Sequence, residues 1–188
     1  MPLALITGGS RGFGRALARG LADRGWQLIM DGRNPEALRE SAESIGPGAT
    51  AVAGDVAHEA HRRDLAAAVS KAGRLDLLVN NASTLGISPL PGLDRYPAGA
   101  LEAVFRTNVL APLALSQALL PHLAPGAAIV NITSDAAVEA YEGWGGYGAS
   151  KAALDQISAV LGAEHPKLRI YAFDPGDMDT AMHRAALP

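Results

Sequence analysis

A chain of 188 residues, 48% hydrophobic and 19% charged, has the length and apolar content for one folded domain with a sizeable core. Its net charge of −3 offers no basic field to nucleic acid, and the absence of cysteine excludes disulfides and thiolate metal sites. Met1-Pro2-Leu3-Ala4-Leu5-Ile6 lacks the basic region and long apolar segment of a secretory signal, and the apolar stretch from Val109 to Val130 is interrupted by Pro112, Pro121 and Pro125. The expectation is a soluble, cytoplasmic protein with neither nucleic-acid nor membrane partners.

Leu3 to Thr7 has the apolar run of a buried strand. It enters Thr7-Gly8-Gly9-Ser10-Arg11-Gly12-Phe13-Gly14, and Arg15 to Arg24 then shows helical periodicity. Strand, glycine-rich turn, helix is a context for phosphate: the glycines permit a tight turn and close backbone approach, and the helix start presents free N–H groups. Trp26 to Met30 reads as a second strand, followed by Asp31-Gly32-Arg33-Asn34-Pro35 and a helix from about Glu36 to Ser44. The end of the second strand is where a dinucleotide fold reads the adenosine ribose: an acid accepts from the 2′-hydroxyl and an arginine favours a 2′-phosphate.

Ala49 to Ala53 is a third strand, ending in Gly54-Asp55-Val56, with a helix from about Glu59 to Lys71. Asp76 to Val79 is a fourth, closing in Asn80-Asn81-Ala82-Ser83 and a proline-rich loop over 84–97. A long helix from Gly99 to His122 carries Asn108, and Ala127 to Ile132 is a fifth strand ending at Thr133-Ser134. A glycine-rich loop around Trp144 leads to a helix containing Tyr147, and Leu168 to Phe173 is the sixth strand, stopped by Asp174-Pro175-Gly176. Strands alternating with helices predict an α/β fold, a single doubly wound parallel β-sheet with helices on both faces. Ligands in such sheets sit outside the carboxyl ends of the strands, where Gly8, Asp55, Asn80, Ser134 and Pro175 all fall.

Tyr147 and Lys151 are four residues apart, so on a helix the phenol and the ammonium stand on one face. A free phenol, with a pKa of about 10, is a poor proton donor or acceptor at neutral pH; a neighbouring cation favours the phenolate and moves that value toward the working range. His58, His61, His122, His165 and His183 have no metal-ligand spacing, and no metal site or other role is assigned to them.

Together these segments resemble the short-chain dehydrogenase/reductase family, the Rossmann-fold oxidoreductases that use NAD or NADP, from Leu3 to about Met182. The glycine turn matches the family's Thr-Gly-xxx-Gly-x-Gly, and Asn80-Asn81-Ala82 its Asn-Asn-Ala. The resemblance implies catalytic roles for Ser134, Tyr147, Lys151 and Asn108. Tyr147 is the expected general acid/base for a carbonyl–alcohol interconversion, and Lys151 is expected to depress its pKa and hold the nicotinamide ribose. Ser134 is expected to donate to the substrate oxygen and Asn108 to hold a water in a relay to the lysine. It implies cofactor contacts at Gly8, Ser10, Arg11, Gly12, Phe13, Gly14, Arg33, Asp55, Val56, Asn81, Ala82, Tyr147, Lys151, Pro175, Gly176 and Thr180. Gly32 occupies the slot of an NAD-reading acid, while Arg33 and Arg11 match the basic positions associated with NADP; NADP(H) is therefore expected over NAD(H). Asp31 is the counter-argument, should its carboxylate reach the ribose.

The implied partners are a small carbonyl or alcohol substrate and further copies of the chain, as a homodimer or homotetramer. Ser83 replaces the usual glycine after Asn-Asn-Ala and is expected to affect only local packing. Asp174 replaces a common asparagine. Family members run some tens of residues longer, so the substrate-covering helix and a seventh strand are expected to be missing. The alternative reading is a nicotinamide-binding regulatory protein of the same fold without chemistry; a sugar-nucleotide epimerase would need a further domain for which 188 residues leave no room.

Overall fold

The structure, a computed structural model, describes residues 1–186, without the side chains of residues 182, 183 and 185. Six strands form one parallel sheet: β1 (Leu3–Ile6), β2 (Gln27–Gly32), β3 (Ala49–Ala53), β4 (Leu75–Asn80), β5 (Leu123–Ile132) and β6 (Arg169–Phe173), in the order β3-β2-β1-β4-β5-β6. The helices are α1 (Gly12–Ala22), α2 (Pro35–Ile45), α3 (Glu59–Ala72), α4 (Ala98–Phe105), α5 (Ala111–Leu119), α6 (Gly145–Glu164) and α7 (Ala181–Ala186).

β1 is buried along its whole length because helices cover both sides of it, which is why it reads as an unbroken apolar run rather than an alternating one. Successive side chains still point to opposite faces. Ala4 and Ile6 join Ala18 of α1 and Leu38 and Ala42 of α2 in one core layer. Leu3 and Leu5 join Leu65 and Val69 of α3 and Leu115 and Leu119 of α5 in the other. α2 begins where Asn34 accepts the Ala37 N–H at 3.0 Å and Pro35 supplies a fixed φ in the first turn.

β2 runs two residues further than its apolar run, to Gly32, so Asp31 and Gly32 pair with Val52 and Ala53 inside the sheet. The long helix is interrupted. Between α4 and α5, Arg106–Leu110 winds as a π-turn, and Asn108 lies in it, 1% exposed. From Ala98 through His122 this stretch is long and apolar enough to cross a bilayer by length and composition, and here it buries Val104, Val109, Leu115 and Leu119 in the protein. β6 forms one edge of the sheet, with Tyr171 and Phe173 exposed on it.

A ladder of buried amides and hydroxyls crosses the centre of the sheet. Asn80 of β4 stands opposite Asn131 of β5 and donates to its Oδ1 at 2.7 Å, and to Ser116 Oγ of α5 at 3.3 Å. Asn131 in turn donates to Ser158 Oγ of α6 at 2.8 Å. The strand order reverses between β1 and β4, and the crevice above that reversal holds the candidate site.

Candidate active site

The glycine turn joins the end of β1 to the start of α1 and is held by its neighbours. Thr7 Oγ1 donates to the Val79 carbonyl and accepts the N–H groups of Asn81 and Ala82, both at 2.9 Å. Asn81 Nδ2 donates to the carbonyls of Thr7 (2.8 Å) and Gly8 (3.2 Å), so both hydrogens of that amide brace the turn from β4. A β-carbon on Gly14 would lie 2.5 Å from the Gly8 carbonyl oxygen and 2.5 Å from Asn81 Nδ2. Gly12 has φ +55, and Thr180 arches over it, its Cγ2 3.6 Å from where a β-carbon would stand. Phe13 is half-buried against the α1–α2 layer.

The two arginines expected to read the nucleotide are exposed and unpaired among the described residues, Arg11 at the start of α1 and Arg33 just past β2. Their loops touch: a β-carbon on Gly32 would lie 3.2 Å from Ser10 Oγ. Asp31 is 1% exposed and turned inward, where its Oδ1 accepts the Gly8 N–H at 2.7 Å and its Oδ2 lies 2.9 Å from His61 Nε2. Asp31 is the counter-argument to NADP, and here both of its carboxylate oxygens are engaged, by Gly8 and by His61. Past the end of β3, Asp55 is half-buried, with one oxygen on the Ala57 N–H at 2.9 Å; Val56 beside it is buried.

Tyr147 and Lys151 stand on one face of α6, as their spacing requires, with Nζ 5.4 Å from the ring centroid. Lys151 is 2% exposed and donates to the Ile132 carbonyl at 2.7 Å. Burial pushes its pKa down to about 8, with Asp155 opposing weakly. Burial likewise pushes Tyr147 up to about 12; the Asp174 and Asp135 charges add to the rise, and hydrogen bonds with the Ser83 and Ser134 hydroxyls oppose it. Burial therefore works against the expected tuning: both groups are desolvated, and each resists its charged form.

These opposite shifts predict a stability optimum. Lys151 falls from 10.5 unfolded to about 8 folded, so its contribution is lost as pH falls from 10.5 through 8. Tyr147 rises from 10.0 to about 12, so its contribution is intact below 10 and lost above it. Urea unfolding should therefore show stability rising between pH 8 and pH 10 by up to about 3 kcal/mol. Lys151→Met should flatten that rise; an unchanged slope would mean the ammonium is not desolvated.

Three further side chains have partners that the sequence does not announce. Ser134 caps the turn after β5, accepting the Ala136 N–H at 3.2 Å, and donates to Asp135 Oδ1 at 2.9 Å, with its hydroxyl also within reach of Tyr147. Tyr141 donates to the other oxygen of Asp135 at 2.9 Å, and these bonds hold the Asp135 carboxyl below its usual range. Asn108 has all four carboxamide valences filled. Its Oδ1 accepts from Ser83 Oγ (3.2 Å) and Thr84 N (2.9 Å), and its Nδ2 donates to Thr84 O (2.9 Å) and Ser150 Oγ (3.0 Å). Its side chain thus ties the loop after β4 to α6 instead of offering a group to water. Ser83 does more than pack locally, since its hydroxyl reaches both Asn108 and Tyr147.

Tyr147, Ser134 and Asp135 open on a cleft of about 540 Å³ whose other walls are Leu85, Tyr141, Trp144 and the 174–180 segment, including Gly176 and Thr180. Trp144 stands edge-on to Tyr147, centroids 5.8 Å apart, and Gly176, φ +72, is exposed beside the half-buried Pro175. The turn and this cleft meet at Thr180. A protonated phenol beside a buried cation, facing a partly apolar cleft, can deliver a proton to a polarised oxygen. Sequence reasoning missed Asp135 and His61: the first is a neighbour of Ser134 with an ordinary surface composition, and the second has no ligand spacing. The side chain of His183 lies outside the described residues.

Residues 2–187 match the family model of short chain dehydrogenases. The sepiapterin reductase of Meriones unguiculatus is 35% identical, over 98% of this chain and 77% of its own length. The rhamnolipids biosynthesis 3-oxoacyl-[acyl-carrier-protein] reductase of Pseudomonas aeruginosa is 36% identical, over 97% of this chain and 75% of its own. Among solved structures, the Pseudomonas aeruginosa RhlG/NADP active-site complex superposes with a TM-score of 0.88 at 34% identity, covering 97% of this chain and 75% of that one.

Proposed function

The chain belongs to the short-chain dehydrogenase family of nicotinamide-dependent oxidoreductases, and from that premise we propose that it reduces a small carbonyl substrate with NADPH, Tyr147 delivering the proton. The observation that carries this reading is the buried phenol facing the cleft, held by burial in its protonated form well past neutral pH. A phenol in that state carries its proton at neutral pH, and it gives that proton up only as negative charge develops on the substrate oxygen, with Lys151 behind it to meet the phenolate.

The residues present fit a dinucleotide. The turn is free of side-chain bulk at Gly8, Gly12 and Gly14, and α1 begins there with N–H groups that a pyrophosphate can use. Ser10, Arg11 and Arg33 would hold the 2′-phosphate, Asp55 and Val56 the adenine, and Asn81, Ala82, Pro175, Gly176 and Thr180 would border the nicotinamide half. When bound, the cofactor supplies the hydride. Tyr147 protonates the carbonyl oxygen as negative charge develops there, and the nascent phenolate is met by Lys151. Ser134 takes part once its hydroxyl turns from Asp135 to the substrate oxygen, adding a donor where charge accumulates. Asn108 acts as a positioning residue, keeping Ser83 and the start of α6 in register with that oxygen.

Fluorescence titration with NADPH and NADH, followed by a panel of ketones and aldehydes, tests the reading; binding without turnover of any carbonyl would defeat it. Arg33→Ala is expected to weaken NADPH about tenfold and leave NADH unchanged, the loss typical of one charge-assisted contact. An equal loss for both cofactors would remove Arg33 from the 2′ side.

A further inference from the structure

His61 and Asp31 form a buried pair that the chemistry above does not use. Asp31 lies one residue before the Gly32 slot, and its surroundings account for every bond it makes. Its carboxylate takes the Gly8 N–H at 2.7 Å and His61 at 2.9 Å, and its carbonyl takes the Gly9 N–H at 2.8 Å. An ionised carboxylate only accepts, so His61 presents Nε2–H to it. The ring reaches Asp31 from α3 by lying on the end of β3, where a β-carbon on Gly54 would be 2.2 Å from His61 Nδ1. Only a glycine leaves that path open. The imidazole is 5% exposed, so no water replaces it.

We propose that His61 is a specificity-determining positioning residue: it captures the Asp31 carboxylate and keeps negative charge off the 2′ side of the adenosine ribose, reserving that side for a phosphate. The proposal rests on the NADP reading above. Without the imidazole the carboxylate is left buried with one oxygen unpaired, a state costly enough to drive it outward. Turned outward, it would meet the loop beyond β2, where Gly32 packs on Ser10 and Arg33 follows, and there a carboxylate would accept ribose hydroxyls and repel a 2′-phosphate. A binary cofactor preference is thus governed from a helix that does not touch the ribose.

The test is the ratio of NADPH to NADH dissociation constants, read from cofactor fluorescence on folded protein verified by circular dichroism. His61→Leu is expected to cut the preference for NADPH about tenfold or more, the effect of one added charge beside the phosphate. His61→Gln, which keeps a donor, and Asp31→Asn, which removes the charge, should each stay within about threefold of the parent ratio. The double variant His61→Leu with Asp31→Asn should restore it. Equal weakening of both cofactors by His61→Leu would reduce the pair to a structural brace and overturn the proposal, as would a loss in His61→Gln as large as in His61→Leu. A selective loss of NADH in Asp31→Asn would put the carboxylate on the ribose and overturn it too. Should His61→Leu fail to fold, His61→Met takes its place, with the same tenfold fall in the ratio expected and an unchanged ratio overturning the proposal. Preference of the parent for NADH would refute the NADP reading, while the change in ratio among variants would still report on His61.

Discussion

Tyr147→Phe is expected to lower kcat for carbonyl reduction about a thousandfold while NADPH affinity stays within about twofold. The substitution removes one oxygen and keeps the ring, which packs edge-on against Trp144 and beside Leu85 and Ala136, so the cleft retains its shape. What is lost is, among the described residues, the one hydroxyl lining the cleft that is both buried and backed by a cation. The parent enzyme should keep its reductive rate through neutral pH and lose it as pH rises past about 8, when Lys151 gives up its proton and no longer meets the phenolate. Stopped-flow oxidation of NADPH with a reactive aldehyde reads both effects. Retention of more than a tenth of parental kcat in Tyr147→Phe would assign the proton to another group.

Gly14→Ala is the second large effect. Its new carbon would sit 2.5 Å from the Gly8 carbonyl oxygen, and that oxygen belongs to backbone pinned by Asn81 and by the Asp31 contact to Gly8 N. Neither side can yield without breaking a strand end. The expected result is a loss of about 3 kcal/mol or more, at the upper end of overpacking, with abolished cofactor binding. Gly20→Ala, one and a half turns along the same helix, meets only the end of Arg24 at 3.6 Å and should stabilise by about 0.5–1 kcal/mol. Thermal melts of the pair should move in opposite directions; a shared direction would mean that helix propensity, not the turn, dominates at Gly14.

The sheet was legible because parallel strands buried on both sides become short apolar runs, and all six fell within a few residues of their limits. Strand β2 ran past its apolar run because Asp31 and Gly32, which locally look like a turn, find partners in β3 and in His61, thirty residues away. Nothing local announces such a partner. The shared face of Tyr147 and Lys151 follows from helical spacing alone, whereas their depth, which sets both pKa shifts, depends on β5 behind the lysine and on Leu85, Ala136 and Trp144 around the phenol. The π-turn at Asn108 adds one residue to a helix whose apolar positions do not register it. The Ser134–Asp135 bond joins sequence neighbours, yet its direction is set by Tyr141 and the turn after β5.

The amide ladder across β4 and β5 bears on a different problem, which is how the strands find their alignment. Apolar patterning rejects a slip of one residue, since every side chain would change face, but tolerates a slip of two, which restores the faces. A two-residue slip would carry Asn80 away from Asn131, and Asn131 away from Ser158, leaving buried amides unpaired at about 1–3 kcal/mol each. Polar groups in the middle of an apolar core thus discriminate between alignments that hydrophobicity alone treats as equal.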